Sequence, residues 1–297
     1  MGRINRAIEL LAQDQPVYYT GVGHDPRDRG YEGGKKMAGT WADFINYEME
    51  HGPFDVAALS EFMRGLVDAG PTRSGHRTPA VICTLPTDAT DEYVMRANAW
   101  MIKQVLATGI HGVLLCAAET PGAVRAFVEG ARYSFQKQGV GEREGLGVGR
   151  RGNGGQRHAA GVWGVSVHDY LAKAEPWPLN PDGELLLGVK IENLRALANC
   201  EATLRVPGLA FAEWGPGDMG MSFGYADNHD PPYPPEMWAA RNRVFAAVKA
   251  SGIKFLEAVS PENVADRIDE GVRICAGSSG LAAAEIGRKH SGRTMPV

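Results

Sequence analysis

Acidic side chains and a histidine lie at points of this sequence where apolar runs end. The run WADFINYE ends in Glu48, with His51 shortly after it; LLLGVKIE ends in Glu192, and Asp218 lies just beyond LAFAEWG. Carboxylates on neighbouring strand ends can share one hard divalent cation, such as Mg²⁺, Mn²⁺ or Co²⁺. A carboxylate beside a histidine raises its basicity and makes it a general base. These residues therefore indicate a metal site with a base, although each alone is also typical of a helix cap or a solvated loop.

Eight short apolar runs alternate with helical patterns and supply the strand ends on which these residues lie. The runs are nearly continuous, as strands covered on both faces should be. Helical spacing follows between them, for example in Val56, Leu59, Met63 and Leu66. Eight strands, each followed by a helix or a long connection, predict an α/β fold of the (β/α)₈ TIM-barrel type, because a doubly wound sheet usually has fewer strands. The predicted strands read PVYYTGV, WADFINYE, PAVICTL, HGVLLCAA, LLLGVKIE, LAFAEWG, IKFLEAV and VRICAG.

The composition fits a globular protein that acts on a small molecule, and we predict one domain over residues 1–297. Hydrophobic residues make up 44% and charged residues 22%, with a net charge of −4 and a pI near 6.1. This charge argues against nucleic acid as a partner. No run approaches the ~20 apolar residues of a membrane span, so we predict no membrane partner and a cytoplasmic location. The four cysteines form no C-x-x-C pair, so no disulfide framework or zinc cluster is implied.

A long Gly/Arg-rich connection, at about residues 136–181, contains Gly147-Val-Gly149-Arg-Arg-Gly152, which fits the G-x-G-x-x-G pattern of dinucleotide-binding loops. Such a loop needs a strand before the glycines and a helix opening on the third. The preceding residues are polar, and the further glycines that follow predict that no helix starts there. We therefore favour a mobile loop over the barrel mouth, although Asp169 lies near the place of a ribose-binding acid.

The strand ends together resemble the HpcH/HpaI aldolase family. Ile191-Glu192-Asn193, Gly215 to Met219 and Glu48 to Pro53 match, on the expected strand ends, the family's metal-binding and base-bearing segments, and the resemblance runs with gaps from about residue 17 to 281. It implies that Glu192 and Asp218 hold a divalent metal ion and that His51, paired with Glu48, is the catalytic base. Substrate binding is assigned to Trp214, Gly215, Pro216, Gly217, Thr84 and His24.

One departure from the family pattern concerns the third strand. The family usually carries an arginine at the end of this strand, which binds the oxo acid, whereas this chain has Cys83, Thr84 and Leu85 there. Loss of a fixed cation beside a developing oxyanion costs on the order of 3 kcal/mol of transition-state stabilisation. Arg151, in the glycine-rich connection, is our candidate for a replacement catalytic residue. Arg150, Arg157 and His24 are the other candidates.

The resemblance predicts a metal-dependent aldehyde lyase of the class II aldolase type, which cleaves a hydroxy-oxo acid or related hydroxy-carbonyl compound by retro-aldol chemistry. The aromatic segment YADNHDPPYPPEMW, residues 225–238, would wall a pocket for a bulky or aromatic aldehyde portion or form a subunit contact. The family also implies a homo-oligomer, a hexamer or a dimer-based assembly, with the C-terminal helix LAAAEIGRKH on a neighbouring subunit.

Three alternatives remain open at this point. Without the third-strand arginine, the same metal barrel could carry out altered chemistry. The turn Gly277-Ser278-Ser279-Gly280 after the eighth strand suggests a phosphorylated substrate, since many barrels hold a phosphate there. A non-catalytic ligand-binding barrel is the third alternative, and it predicts that loss of Glu192 or Asp218 leaves function intact.

Overall fold

A computed structural model describes residues 2–23, 25–227, 230–277 and 280–297. Eight parallel strands close into a barrel in the order β1-β2-β3-β4-β6-β7-β8-β9, with β9 pairing back to β1. A short additional strand, β5, pairs with the start of β6. The predicted (β/α)₈ barrel is confirmed, and seven of the eight predicted runs contain their strand, whereas the third strand continues past the end of PAVICTL. The strands are β1 (Val17–Val22), β2 (Phe44–Glu48), β3 (Ala80–Asp88), β4 (Gly112–Cys116), β5 (Pro176–Trp177), β6 (Leu185–Ile191), β7 (Phe211–Trp214), β8 (Lys254–Ala258) and β9 (Val272–Ala276).

Helices cover the outside of the barrel, and most of the long ones begin at a side-chain cap. Asp55, Asp91, Thr120 and Asn193 each accept a hydrogen bond from a main-chain amide of the first helical turn. The helices are α1 (Arg6–Ala12), α2 (Pro26–Arg29), α3 (Tyr31–Met37), α4 (Val56–Ala69), α5 (Glu92–Ala107), α6 (Pro121–Ala131), α7 (Gln156–Trp163), α8 (Val167–Lys173), α9 (Leu194–Thr203), α10 (Pro216–Phe223), α11 (Pro235–Ser251), α12 (Val264–Glu270) and α13 (Gly280–His290).

The inside of the barrel is apolar at one end and polar at the other. Helix α1 closes the amino-terminal end, and its apolar side chains pack with barrel residues such as Phe44, Leu186 and Phe211. Side chains alternate between the two faces of a strand, and Leu186 of β6 lies on the inner face. Lys190 and Glu192, which are four and six residues further along, therefore lie on that same face. The polar end therefore coincides with the carboxyl ends of the strands, where barrels of this type carry their active sites.

The Gly/Arg-rich connection lies at the opposite end of the barrel from the strand carboxyl ends. Helix α6 ends at Ala131 and β6 begins at Leu185, so the connection follows a helix that has already returned to the amino-terminal end. The Arg151 amide donates to the carbonyl of Arg132, one residue beyond α6, at 2.8 Å. The expectation of a loop over the barrel mouth is therefore wrong, because it assumed that the connection leaves a strand directly.

A helix does form after the glycine pattern, contrary to the sequence prediction. Helix α7 starts at Gln156, four residues after Gly152, and buries Ala159, Ala160, Val162 and Trp163. Burial of this apolar face outweighs the low helix propensity of the surrounding glycines. The pattern is still unsuited to phosphate, because the Gly147 amide donates to the Glu129 carboxylate at 2.8 Å.

The C-terminal helix α13 packs on its own barrel. Ala283 and Ala284 are buried, and a Cβ on Gly287 would lie 2.0 Å from the hydroxyl oxygen of Tyr18. Its outer face leaves Leu281 and Ile286 exposed. Within the described residues, none of the helices has the length and apolar character required to cross a membrane.

Candidate active site

A cavity of about 270 Å³ opens among the carboxyl ends of the strands. Residues at or just after the ends of β2, β3, β4 and β6 line it, together with the first turn of α10. Both predicted metal ligands, Glu192 and Asp218, line the same cavity, although they are separated by a full β/α unit in the chain. The described lining residues are Glu50, Asp88, Ala117, Glu192, Asn193 and Asp218.

Glu192 lines this cavity and has a close contact at each of its two carboxylate oxygens. Its Oε1 accepts a hydrogen bond of 2.7 Å from the amide of Ala117, which adopts the left-handed conformation with φ of 43°. A Cβ on Gly215 would lie 2.5 Å from Oε2 of Glu192, so only glycine leaves room for this carboxylate. Burial raises the pKa of Glu192 to about 8, although the Lys190 ammonium and the Ala117 amide act in the opposite direction.

The donor atoms fit a hard divalent cation. Ligand atoms of Glu50, Cys116 and Glu192 all lie within 4.8 Å of one another. Oε2 of Glu192 is buried and accepts no hydrogen bond, which leaves an acceptor for a metal ion. Burial raises the pKa of the Cys116 thiol well above its usual value, so the sulfur stays protonated. The carboxylate oxygens, joined by Asp218 in the same cavity, are therefore the ligands to consider, and they suit Mg²⁺ or Mn²⁺.

Lys190 lies among these acids, on the inner face of β6. Its ammonium donates to Oε2 of Glu50 and lies 3.9 Å from Oε2 of Glu192. Burial acts to lower the pKa of Lys190, but Glu213, Glu192 and Glu50 outweigh it and raise that pKa above its usual value. The side chain therefore remains a fixed positive charge at the cavity.

The predicted base is arranged differently from the expectation. Glu48 does not pair with the His51 imidazole, because its Oε1 accepts main-chain amides from Glu50 and from His51, the latter at 3.3 Å. The carboxylate beside the imidazole is Glu50, whose Oε1 lies 3.7 Å from Nε2 of His51. Glu48 thus shapes the turn after β2, and Glu50 links His51 to the cavity. The His51 side chain is 63% exposed, so it reaches solvent at the barrel mouth.

Arg151 is not at this site. Its guanidinium stacks over the ring of Tyr133, with 4.3 Å to the centroid, and donates to Tyr170 at 2.8 Å. Tyr170 in turn donates to the carbonyl of Leu106, near the end of α5, where the helix has returned to the amino-terminal end of the barrel. The structure therefore contradicts the hypothesis that Arg151 replaces the missing third-strand arginine.

The predicted substrate-binding residues divide into several groups. Thr84 is fully buried and donates to the Asn46 side chain at 2.8 Å, so its hydroxyl is engaged inside the barrel. Pro216 and Gly217 form the first turn of α10 together with Asp218, and Gly215 packs against Glu192. His24 lies outside the described residues, as do Ser278 and Ser279 of the predicted phosphate turn.

Trp214 instead lines a second cavity, of about 310 Å³, beside the first. Its ring packs edge-on against Tyr233, whose ring packs edge-on against Trp238, both at centroid distances of 5.3 Å. Pro216 lines this aromatic cavity, and Asp218, two residues later, lines the acidic one. The two cavities are therefore neighbours at the start of α10, and residues of the predicted aromatic segment wall the second.

Sequence reasoning missed several residues that the site contains. Asp88 is the last residue of the third strand, which continues past Leu85, and Cys116 is the last residue of the fourth. The signal for Lys190 was a lysine inside an otherwise apolar strand, two positions before Glu192 and therefore on the same face. Ala117 offered no signal, because its role comes from its main-chain amide.

Comparisons with known proteins identify the family of this chain. The model of the HpcH/HpaI aldolase/citrate lyase family matches residues 80–281. The chain is 28% identical over 238 residues to 2-keto-3-deoxy-L-rhamnonate aldolase of Klebsiella pneumoniae, covering 77% of this chain and 78% of that protein. The enzyme of the same name from Salmonella schwarzengrund is 32% identical over 153 residues, which covers 51% of this chain and 50% of that one.

Solved structures share the same fold. A family protein from Burkholderia cenocepacia J2315 superposes with a TM-score of 0.70 at 22% identity, covering 96% of this chain and 97% of that one. Macrophomate synthase gives a TM-score of 0.69 at 21% identity, with coverage of 98% and 89%. With the barrel, the strand-end carboxylates and the match over residues 80–281, the chain belongs to the HpcH/HpaI aldolase/citrate lyase family of metal-dependent, class II carbon–carbon lyases.

Proposed function

We propose that the protein cleaves a hydroxy-oxo acid, or a related hydroxy-carbonyl compound, to a 2-oxo acid and an aldehyde at the acidic cavity. The observation that carries this proposal is the pair of Glu192 and Asp218 in one cavity, with Oε2 of Glu192 buried and without a hydrogen-bond donor. These two carboxylates would hold Mg²⁺, Mn²⁺ or Co²⁺. When bound, such a cation polarises the keto group of a 2-oxo acid.

The residues after β2 supply proton transfer in this proposal. His51, with Glu50 beside its imidazole, takes the proton of the substrate hydroxyl. The electron pair of the broken C–C bond moves toward the carbonyl of the oxo-acid portion, and the aldehyde departs. The same proton is then available to return to carbon, which completes the 2-oxo acid. Glu48 acts indirectly, because its carboxylate holds the amides of Glu50 and His51.

The aromatic cavity supports a bulky or aromatic aldehyde portion. It adjoins the acidic cavity through the first turn of α10, and its walls include Trp214, Tyr233 and Trp238. Rings arranged edge to face favour a flat apolar group. We expect Trp238→Ala to raise the KM for an aromatic aldehyde substrate in the condensation direction while leaving that for acetaldehyde nearly unchanged. Equal effects on both aldehydes would remove the support for this cavity.

Metal removal tests the proposed reaction. The protein is stripped with a chelator, and cleavage of a 4-hydroxy-2-oxo acid is followed before and after addition of Mg²⁺, Mn²⁺ or Co²⁺. We expect no turnover without metal, recovery with metal, and loss of both metal binding and turnover in Glu192→Gln and Asp218→Asn. Asp182→Asn is the matched control, since Asp182 is an exposed acid before β6, at the other end of the barrel. Full activity of the stripped protein would refute the proposal.

We also propose that the protein forms a homo-oligomer. Leu281 and Ile286 lie on the outer face of α13 with 46% and 42% of their surface exposed. A neighbouring subunit packed on α13 would cover these two apolar side chains. Light scattering of the wild type and of Ile286→Glu tests this, and a wild-type mass of one chain would refute it.

A further inference from the structure

A lysine lies beside two of the acids that line the acidic cavity. Lys190 and Glu192 are two positions apart on β6 and therefore share the inner face of the barrel. A buried ammonium costs free energy unless it is paired, and an apolar side chain of similar volume serves the packing of a barrel at lower cost. Among the described residues, no other lysine or arginine contacts both Glu50 and Glu192. Its presence at this position calls for a chemical reason.

The contacts of Lys190 place its charge beside the reacting end of the site. Its ammonium donates to Oε2 of Glu50, whose other oxygen lies 3.7 Å from Nε2 of His51. The same ammonium lies 3.9 Å from Oε2 of Glu192, the oxygen without a hydrogen-bond donor. The side chain is 13% exposed, so part of it faces the barrel mouth. Glu50 thus holds the lysine between the candidate base and the candidate metal ligand.

The reaction needs such a charge. When the C–C bond of the substrate breaks, negative charge accumulates on the keto oxygen, and a preorganised donor aimed at that oxygen lowers the barrier. The second half of β3 offers no cation for this purpose, since Thr84 is uncharged and bonded to Asn46 and the strand ends in Asp88. Arg151 is held by Tyr133 and Tyr170 at the other end of the barrel. Lys190, in contact with both Glu50 and Glu192, is the described cation placed closest to these acids for this role.

We propose that Lys190 is a catalytic residue whose ammonium donates a hydrogen bond to the keto oxygen of the substrate as negative charge develops there. This inference rests on the proposed lyase function. The hydroxyl proton passes to the His51–Glu50 pair, the C–C bonding electrons move into the oxo-acid portion, and Lys190 keeps its proton throughout. No covalent bond forms between the lysine and the substrate.

The test compares Lys190→Met and Lys190→Gln with the matched control Lys173→Met. Lys173 is also a half-buried, ion-paired lysine, but it lies 3.8 Å from Glu184 ahead of β6, at the other end of the barrel. Each variant is checked for folding by thermal melting, for Mn²⁺ affinity by calorimetry and for turnover of a 4-hydroxy-2-oxo acid. The glutamine variant keeps a polar side chain if methionine disrupts folding.

We expect kcat to fall about 100-fold in both Lys190 variants, as on loss of one oxyanion donor, with the Kd for Mn²⁺ no weaker than in the wild type. A lysine that only positions Glu192 would weaken Mn²⁺ binding about 10- to 100-fold together with turnover. That result, or turnover within a factor of about three of the wild type, overturns the inference. Failure of both Lys190 variants to fold also overturns it, because the lysine is then structural.

Two further observations separate this inference from its rivals. Borohydride reduction of the wild type in the presence of pyruvate should leave the mass of the protein unchanged. A covalent adduct on Lys190 would show that the lysine acts by covalent catalysis and would refute the proposed hydrogen-bond donation. If the wild-type protein shows no metal-dependent cleavage, the proposed function itself is refuted. If the wild-type protein cleaves the substrate with metal and the Lys190 variants cleave it equally well, only the inference about Lys190 is refuted.

Discussion

Replacement of Gly215 by alanine is expected to displace Glu192 without touching its carboxylate chemically. The added Cβ would lie 2.5 Å from Oε2 and 2.7 Å from Cβ of Glu192, and Cβ atoms in proteins essentially never approach another heavy atom closer than 3.0 Å. Rotation of the side chain relieves only the first contact, because the second involves the Cβ that the main chain after β6 holds in place. The Glu192 side chain must therefore move, and this disturbs the hydrogen bond of 2.7 Å between its carboxylate and the amide of Ala117.

The size of the effect follows from these contacts. One extra methyl group in a tightly packed site costs about 1–3 kcal/mol of the free energy of unfolding. The weakened hydrogen bond to a charged group is of a similar size, about 1.5–3 kcal/mol, but both come from one displacement and are not added. For the metal, loss of a supporting contact around a ligand weakens binding about 10- to 100-fold. We expect Gly215→Ala to lower the affinity for Mn²⁺ by this factor and to lower kcat with it.

Calorimetry of Mn²⁺ binding and thermal melting measure both quantities on the same protein. Gly161→Ala is the matched control, since a Cβ at Gly161, in α7, meets no atom within 4 Å. It should bind Mn²⁺ as the wild type does. If Gly215→Ala binds Mn²⁺ within a factor of about two of the wild type, Glu192 is either not a ligand or not held by this contact, and the reasoning fails.

Three other variants test separate parts of the structure. Burial lowers the pKa of His111 to about 3 from 6.5, and its Nδ1 accepts the amide of Val81 at 3.1 Å. The unfolded chain therefore binds a proton on His111 below pH 6.5 that the folded chain does not bind. The free energy of unfolding should fall by about 3 kcal/mol from pH 6.5 to pH 4, and in urea titrations of His111→Asn it should depend less on pH. Arg151→Ala should lower the melting temperature, because a buried stacking contact is lost, but should leave kcat unchanged. Arg157→Ala, at an exposed position, is the control, and a large loss of kcat in a folded Arg151 variant would restore the catalytic role of Arg151. Ala117→Gly should raise stability by up to about 1 kcal/mol in urea unfolding, since glycine relieves its φ of 43°, and a clear loss would show that the methyl group matters more than the strain.

The strands could be predicted from the sequence because each is short, apolar and closely bounded. WADFINYE shows the limit of such a prediction, since only Phe44–Glu48 forms strand. Asp43 instead turns inward and binds Arg293 and the amide of Tyr18, which no local pattern indicates. Strand existence is thus a local property, whereas strand boundaries depend on partners far along the chain.

The position of a connection around the barrel is a different kind of problem. In a (β/α)₈ barrel, the same loop lies at the active end or at the closed end according to whether it follows a strand or a helix. The Gly/Arg-rich connection follows helix α6 and therefore lies at the closed end. This helix is difficult to predict, because its sequence PGAVRAFVEGA contains two glycines, which lower helix propensity. Arg151 was assigned to the wrong end for this reason.

The site residues show the same division. Glu192 and Asp218 lie at strand ends and could be placed together by barrel geometry alone. The sequence could not show that Glu50, and not Glu48, lies beside the His51 imidazole. Two acids in one turn differ there only in which side chain bonds to the local main chain. Such choices depend on turn geometry within a few ångströms.

Charge balance leads to a last prediction, on the order of binding. Four acidic side chains, of Glu50, Asp88, Glu192 and Asp218, line the acidic cavity in the described part of the chain, and the Lys190 ammonium lies beside Glu50 and Glu192. A 2-oxo acid is itself an anion, so its entry into this cavity is unfavourable until a divalent cation offsets the excess of negative charge. Calorimetry with oxalate should therefore show binding to the Mn²⁺-loaded protein and none to the stripped protein. In Lys190→Met, oxalate should bind the Mn²⁺-loaded protein about tenfold more weakly, because one positive charge beside the ligand is gone. Oxalate binding of equal strength with and without Mn²⁺ would show that the anion is held elsewhere, and that the carboxylates do not form the substrate site.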